Sequence, residues 1–256
     1  MLQLKGVAKA WNKGTVNECH ALKQLDLSVD DGQFLTVIGG NGSGKSTLLN
    51  IVSGLYVPDA GNVLLDGEDI TEMAEHRRAR WIARVFQDPL LGTAAGMTIE
   101  ENLALAARRG KRRTLAWGVR RDEKLVLRDE VARLGLGLED RMGSKIGVLS
   151  GGQRQALTLL MAALERPRLL LLDEHTAALD PKTATAVLTL TETIVEDYGL
   201  TTLMVTHSLP DAIKVGNRLI MMEEGEIVFE AQGEGKSGLS AGELLRLFHQ
   251  AESLSA

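Results

Sequence analysis

Short apolar stretches, which predict β-strands, occupy the two ends of the chain. The predicted strands cover residues 2–7, 25–29, 34–38, 63–65, 84–86, 169–172, 202–205, 219–222 and 227–229. Residues 25–29 alternate apolar and polar positions, which is typical of a half-buried strand, whereas residues 34–38 are apolar or β-branched throughout, which favours a parallel strand buried on both faces. The last two stretches, joined by Glu224 and Gly225, predict a hairpin.

Helical patterns dominate the middle of the chain and its C-terminal end. Thr98 followed by Glu101 predicts a capping box, and Asp122 begins a helical pattern that runs through residue 134. Ser150 begins another, which runs over residues 155–165 and stops at Pro167, and residues 241–252 are amphipathic. Helices between two groups of strands predict a mainly parallel sheet with a helical insertion.

Composition narrows the class of protein but says nothing about its chemistry. The 256 residues fit one large domain or two small ones, and an aromatic content of 4% requires an aliphatic core. No apolar run approaches the roughly 18–20 residues of a transmembrane helix, and the first nine residues lack a secretory signal core. One cysteine, Cys19, fits a reducing compartment, and a net charge of −5 argues against nucleic-acid binding. We expect a soluble, cytoplasmic α/β protein.

A glycine-rich loop lies between the predicted strand 34–38 and a helical start. It fits the pattern G-x-x-x-x-G-K-[ST], and its residues are Gly39, Gly40, Asn41, Gly42, Ser43, Gly44, Lys45, Ser46 and Thr47. Backbone N–H groups in such a turn surround phosphate oxygens, and the helix start adds its positive dipole end. Lys45 is expected to reach the β- and γ-phosphates, and the Ser46 hydroxyl to ligate Mg²⁺. A flexible turn before a helix is the alternative, and the strand–loop–helix context favours a nucleotide site.

Four further features lie where ligands bind in open α/β sheets, or at a second helix start. Residues 149–153 (Leu-Ser-Gly-Gly-Gln) place an N-cap and two glycines at a helix N-terminus suited to an anion. Asp173 and Glu174 end the strand 169–172, and their side chains are expected on opposite faces, Asp173 for Mg²⁺ and Glu174 for polarising water. His207 and Gln87 each follow a predicted strand. Taken alone, a capped helix, a solvated acidic pair or a surface histidine explains these features better; beside a phosphate loop, they indicate a catalytic site.

Together these residues resemble the nucleotide-binding subunit of ATP-binding cassette (ABC) transporters, in the family's order and over nearly the whole chain. Residues 149–153 are similar to the signature, Gln87 to the glutamine loop, residues 177–180 to the D-loop and His207 to the switch histidine. The resemblance implies a single domain, 1–256, with the α/β fold of a P-loop NTPase. About 1–90 and 166–256 would form the mainly parallel core sheet with an antiparallel β subdomain, and about 91–165 an inserted helical subdomain.

The resemblance also implies a mechanism. Two copies pair head to tail around two ATP molecules, so that Ser150, Gly151, Gly152 and Gln153 of one copy cover the γ-phosphate held by the other. Glu174 is then the general base, His207 contacts the γ-phosphate, and Gln87 couples Mg²⁺ and water to a membrane partner. Asp180 couples the two sites, and Trp11 lies where the family stacks an aromatic on adenine.

The partners implied are a second copy, a transmembrane permease and an extracytoplasmic solute-binding protein. The chain is accordingly expected at the cytoplasmic face of the cell membrane, attached through the permease. Residues 173–184 look most like bacterial importers whose permeases resemble branched-chain amino-acid permeases and whose binding proteins are linked to aromatic amino acids. An export or lipoprotein-release ATPase, and a soluble ABC ATPase such as an iron–sulfur assembly scaffold, remain as alternatives that partner identity distinguishes.

Two departures and one unexplained segment accompany the resemblance. Gly40 replaces a larger residue in the loop, and His175 stands where many relatives carry proline after the catalytic glutamate. A basic segment lies in the helical block around Trp117. A solvated surface explains it equally well, and our hypothesis is that it supports docking to the permease or the membrane surface. Its members are Arg108, Arg109, Lys111, Arg112, Arg113, Arg120, Arg121 and Lys124.

Overall fold

A computed structural model describes residues 1–111 and 121–254 of the chain. Its strands are β1 (Leu2–Trp11), β2 (Cys19–Val29), β3 (Phe34–Gly39), β4 (Ala60–Leu65), β5 (Glu68–Asp69), β6 (Ile82–Val85), β7 (Leu169–Asp173), β8 (Thr202–Val205), β9 (Arg218–Glu223) and β10 (Glu226–Gln232). Its helices are α1 (Lys45–Ser53), α2 (Glu75–Arg78), α3 (Ile99–Ala106), α4 (Arg121–Ala132), α5 (Gly151–Ala163), α6 (Pro181–Tyr198), α7 (Leu209–Lys214), α8 (Glu234–Ser237) and α9 (Ala241–Leu254).

The core is a mainly parallel sheet with the strand order β10-β9-β3-β8-β7-β6. β3 pairs in parallel with β8 and β9, and all six of its residues are buried, as its continuous apolar pattern predicts. The predicted hairpin is confirmed, because β9 and β10 pair antiparallel across Glu224 and Gly225. Parallel pairing brings the carboxyl ends of β3, β6, β7 and β8 to one edge, where the predicted site residues follow them.

A second, antiparallel sheet has the order β2-β1-β4-β5. Leu25, Leu27 and Val29 are buried while the residues between them are exposed, so the predicted alternation is confirmed. The apolar side of this sheet shares one hydrophobic cluster with β3 and with Leu48 and Leu49 of α1. The antiparallel sheet therefore covers the helix that begins with the phosphate loop.

The helices between residues 99 and 163 pack on the other side of the core sheet. Ile99 of α3, Val131 of α4 and Leu157 of α5 share a cluster with Leu170 of β7 and Leu188 of α6. Both helix starts with a predicted cap carry a complete capping box, Thr98 with Glu101 and Ser150 with Gln153. No helix within the described residues is long and apolar enough to cross a bilayer.

Several elements differ from their prediction. The sequence patterns assigned no structure to residues 181–198, where α6 forms the longest helix of the described chain. The local signals for it were present, since Asp180 caps its start, proline stands in its first turn and Gly199 follows its end. β1 and β2 are longer than predicted, and α4 and α5 each end two residues earlier than their patterns suggested.

Candidate functional site

The phosphate loop leaves β3 and closes directly onto α1, which begins at Lys45. Gly44 precedes the helix with φ of 101°, and a side chain there would lie 2.3 Å from the carbonyl oxygen of Ala21. A side chain at Gly39 would lie 2.2 Å from the carbonyl oxygen of Met222. Only glycine fits either position, so the loop keeps its backbone N–H groups and the start of α1 open toward a ligand.

Lys45 lies at the centre of this loop. Its Nζ donates to the carbonyl oxygens of Gly39 and Gly40 at 2.8 and 2.7 Å and to the Ser43 hydroxyl at 3.2 Å. Burial lowers the pKa of the Lys45 amine, and the nearby charges of Glu174 and Glu223 oppose that shift. The loop oxygens and these carboxylates thus stabilise a buried cation where polyphosphate is expected to bind.

The acidic residues at the end of β7 separate because the backbone turns between them. Asp173 is the last residue of β7, whereas Glu174 already has a left-handed φ of 46°. Glu174 Oε1 lies 2.6 Å from His207 Nε2, and its side chain is 15% exposed against 47% for His207. The structure therefore brings the predicted general base and switch histidine into direct contact, next to Lys45.

Asp173 has a partner that the sequence patterns did not identify. Arg84 of β6 donates from Nη2 to Asp173 Oδ2 at 2.6 Å and from Nη1 to Asn50 Oδ1 of α1 at 2.7 Å. An arginine in a short, otherwise apolar strand was the only local signal for this contact. The ion pair ties the strand before Gln87 to the acidic end of β7 and to the helix of the phosphate loop.

The glutamine loop also connects to the signature helix. Gln87 is exposed and follows β6, as predicted. Gln155 of α5 is fully buried, and its Nε2 donates to the carbonyl oxygen of Phe86 at 3.3 Å. Gln155, two residues beyond the signature, was not singled out in the sequence because its partner is distant along the chain.

The signature residues contact the beginning of α6. Ser150 and Gln153 cap α5 reciprocally. A side chain at Gly152 would lie 2.3 Å from Cγ2 of Thr183, and one at Gly151 would lie 3.3 Å from Leu179. Gly151 and Gly152 therefore also face their own chain, at Leu179 and Thr183, and the predicted approach of a phosphate stays a prediction.

The D-loop residue Asp180 caps α6. Its side chain accepts from the backbone N–H of Thr183 at 3.1 Å, and hydrogen bonds from Thr183 lower the pKa of the Asp180 carboxyl. The signature and the D-loop therefore meet at the start of α6, because Thr183 contacts both Gly152 and Asp180.

The predicted adenine-binding aromatic, Trp11, ends β1 and is partly buried. Tyr56 packs edge-on against it at 4.9 Å between ring centroids, and Lys9 Nζ lies 5.1 Å from its ring centroid. Asp59 accepts from the backbone N–H of Ala10 at 2.7 Å and from Lys9 Nζ at 3.1 Å. These contacts fix the strand end that presents Trp11.

His175, the departure from proline, is buried and anchors the loop that follows Glu174. Its Nε2 lies 2.9 Å from the Thr191 hydroxyl, which itself donates to the carbonyl oxygen of Val187. Thr191 therefore accepts from His175, so Nε2 carries the proton. Burial lowers the pKa of His175 to about 4. A neutral histidine thus fastens the residue after Glu174 to α6.

The available donors fit a magnesium ion better than a softer metal. Ser46 and Asp173 supply oxygen atoms, and Mg²⁺ prefers oxygen ligands from one or two side chains together with substrate phosphates and water. No group of three or more His, Cys, Asp or Glu residues in the described chain could hold a metal ion by itself.

The basic segment is largely paired where the structure describes it. Arg108 and Lys124 form ion pairs with Glu123 and Glu100. Lys111 pairs with Glu165, and Arg109 donates to the carbonyl oxygen of Ala162 at 2.8 Å. Arg108, Lys111 and Lys124 stay partly exposed while paired, and the proposed docking role of the segment stays a prediction. Arg112, Arg113, Trp117, Arg120 and the Arg121 side chain lie outside what the structure describes.

Comparisons with curated proteins agree with this geometry. A tyrosine transport ATP-binding protein of Clostridioides difficile (strain R20291) is 44% identical over 98% of this chain and 100% of its own length. The methionine import protein MetN of Chromohalobacter salexigens is 35% identical over 90% of this chain and 64% of its own length. The aliphatic sulfonates import protein SsuB of Escherichia coli (strain K12) is 36% identical over 88% of this chain and 78% of its own length.

Solved structures and a family profile point the same way. The dimeric, post-hydrolysis cassette MJ0796 bound to ADP and Pi has a TM-score of 0.76 at 30% identity, over 92% of this chain and 100% of its own. A nucleotide-free ABC transporter cassette has a TM-score of 0.76 at 26% identity, over 97% of this chain and 98% of its own. The profile described as "ABC transporter" matches residues 22–177. The chain therefore belongs to the ABC transporter family, in which it is an ATP-binding and ATP-hydrolysing subunit.

Proposed function

We propose that this chain powers a bacterial importer of aromatic amino acids, with tyrosine as the first candidate solute. The observation that carries the proposal is the 44% identity to a tyrosine transport ATP-binding protein over essentially both whole chains. The name of the tyrosine relative says transport, whereas the names of the methionine, sulfonate and polyamine relatives, at 32–38% identity, say import. These names favour import over the export and assembly-scaffold alternatives.

In the proposed mechanism the phosphate loop and Trp11 hold ATP. Lys45 neutralises the terminal phosphates from its buried position. The backbone of the loop surrounds the phosphates, and the loop residues that bind them are Gly39, Asn41, Gly42, Ser43, Gly44 and Thr47. Ser46 and Asp173, with Gln87, would hold Mg²⁺, whose positive charge neutralises the phosphate oxygens. The oxygen donors at the ends of β7 and the phosphate loop support this assignment.

Glu174 is the proposed general base. Its carboxylate accepts the proton of the attacking water at Oε, and its left-handed backbone aims it away from Asp173. The 2.6 Å contact with His207 restrains the carboxylate, and in the proposed site the imidazole contacts the γ-phosphate. Burial of Lys45 strengthens the attraction between its ammonium group and the phosphate.

The working unit is proposed to be a head-to-tail dimer. Ser150, Gly151, Gly152 and Gln153 then cover the γ-phosphate of the other copy, and Asp180 joins the two sites through the start of α6. The helical block at about 91–165 and Gln87 face a transmembrane permease, which an extracytoplasmic binding protein supplies with solute. The chain therefore acts at the cytoplasmic face of the cell membrane. The dimeric solved relatives support the pairing of two copies.

Co-purification from detergent extract, followed by reconstitution with the captured permease and its binding protein, tests the proposal. We expect tyrosine-loaded binding protein to stimulate ATP hydrolysis several-fold, with methionine and an aliphatic sulfonate as matched controls. Stimulation by a control solute and not by an aromatic amino acid would exclude the proposed solute class. Co-purification with soluble proteins alone would favour the assembly-scaffold alternative.

A further inference from the structure

Arg84 is the charged residue of β6 whose contacts converge on the acidic end of β7. One branch of its guanidinium donates to Asp173 Oδ2 at 2.6 Å and the other to Asn50 Oδ1 at 2.7 Å. Its Cζ lies 4.9 Å from the ring centroid of Phe86, the residue before Gln87. The Arg84 and Asp173 side chains are only 12% and 19% exposed. A single side chain thus joins the phosphate-loop helix, the glutamine loop and the acidic strand end.

Stability alone does not explain a charged residue at this place. Burying a guanidinium costs free energy that one ion pair seldom recovers, and an apolar residue of similar volume is often as stable. The Nε of Arg84 is buried without a hydrogen-bond partner within the described residues, so part of that cost remains. The arginine is therefore better explained by what it does to Asp173.

The forked geometry of arginine suits a positioning role. Two donors of one planar group meet two acceptors on different elements, which fixes the orientation of both acceptors at once. A carboxylate can accept from Arg84 with one oxygen and face a metal-bound water with the other. Lysine, with a single nitrogen, cannot reproduce that alignment.

We propose that Arg84 is a positioning residue that orients Asp173 toward the magnesium ion. Through its hydrogen bond to Asn50, Arg84 also holds Asp173 at a fixed position relative to the phosphate-loop helix. This inference rests on the proposed function, because it takes Asp173 as the magnesium-facing carboxylate. Outer partners of a metal-facing group typically change metal affinity 10- to 100-fold when they are removed. Arg84 consequently acts on the binding of ATP with Mg²⁺ and leaves metal-independent binding of ATP largely unaffected.

The test compares the dissociation constant of ATP in Mg²⁺ and in EDTA, together with the Mg²⁺ concentration that gives half-maximal hydrolysis. For Arg84→Met we expect about tenfold weaker binding in Mg²⁺, a similar rise in the Mg²⁺ requirement and less than twofold change in EDTA. Arg84→Lys should fall between Arg84→Met and the unchanged protein. Arg168→Met is the matched control, because it breaks an exposed ion pair with Asp66 before the other end of β7.

Three results would overturn the inference: equal losses in Mg²⁺ and EDTA, no loss in either, or tighter binding in Mg²⁺ once Arg84 is gone. Asp173→Asn separates this outcome from failure of the proposed function. If it leaves the Mg²⁺ dependence unchanged, the metal assignment itself is wrong; if it weakens the dependence and Arg84→Met does not, only the role of Arg84 is wrong. Should Arg84→Met fail to fold, Asn50→Ala is expected to weaken Mg²⁺-dependent binding in the same direction, and no effect there would equally contradict the inference.

Discussion

Gly152 has no side chain because α6 occupies the space where one would lie. The sequence explained this glycine as an open helix start, and the structure adds a neighbour, Thr183, which contacts the signature and the D-loop. The residue type was predictable from the signature motif, but the contact was not, because it depends on how α5 and α6 pack. The same holds for Arg84 and Asp173, whose strands become neighbours only when the sheet forms.

Replacing Gly152 by alanine is therefore expected to destabilise the protein. A Cβ atom 2.3 Å from Thr183 Cγ2 requires α5 and α6 to separate or Thr183 to change rotamer. We expect a loss of about 1–3 kcal/mol in the free energy of unfolding, measured by urea titration.

A second substitution distinguishes this clash from a general effect. Gly152→Ala combined with Thr183→Ser removes the clashing methyl group and should recover most of the loss. Gly143→Ala, where a side chain would meet open space, should change the free energy of unfolding by less than about 0.5 kcal/mol. A full-sized loss that Thr183→Ser does not relieve would contradict the packing explanation.

At the scale of elements, sequence patterns predicted the strands and helix starts whose signal lies in residues close along the chain. The alternation in β2, the continuous burial of β3, the capping box at Thr98 and the N-cap at Ser150 were predictable because each depends on residues close along the chain. α6 was missed although Asp180 caps its start, proline stands in its first turn and Gly199 follows its end. Its position became clear only from what it contacts, namely the signature glycines and His175.

The junction of β1 and β4 makes a pH-dependent contribution to stability. Burial alone would raise the pKa of the Asp59 carboxyl, but donors from Ala10, Lys13 and Lys9 lower it to about 2, below its ordinary value of 3.8. The folded state therefore gains stability from ionised Asp59 above about pH 4 and loses it as the pH falls toward 2. This junction supports the strand end that carries Trp11.

Asp59→Asn should therefore destabilise the protein at neutral pH and progressively less in acid. We expect a loss of about 1 kcal/mol at pH 7, allowing for solvent screening, that shrinks as the pH falls below 4. Urea unfolding at pH 7, 5, 4 and 3 measures this loss in the free energy of unfolding. Asp140→Asn, which removes an exposed partner of Arg128, serves as the matched control. A loss from Asp59→Asn that is constant with pH would show that the carboxylate charge is not responsible.

At the scale of the whole molecule, the α/β organisation and the family were predictable from the order and spacing of motifs. The direct contact between Glu174 and His207 was not, because these residues meet only once β7 and β8 align in parallel. One phosphate loop and one signature lie in this chain, and each is proposed to serve half of a different ATP site. The central claim is therefore that ATP joins two copies.

Glu174→Gln tests that claim most directly, because the amide preserves the shape of the side chain but cannot accept the proton from water. With ATP and Mg²⁺ we expect the variant to lose turnover by at least a hundredfold. We also expect it to elute in light-scattering chromatography at twice the 27.7 kDa of one chain. Adding Lys45→Met, which removes the phosphate-binding amine, should return it to a single chain. A Glu174→Gln variant that binds ATP with Mg²⁺ and stays monomeric would contradict the composite site.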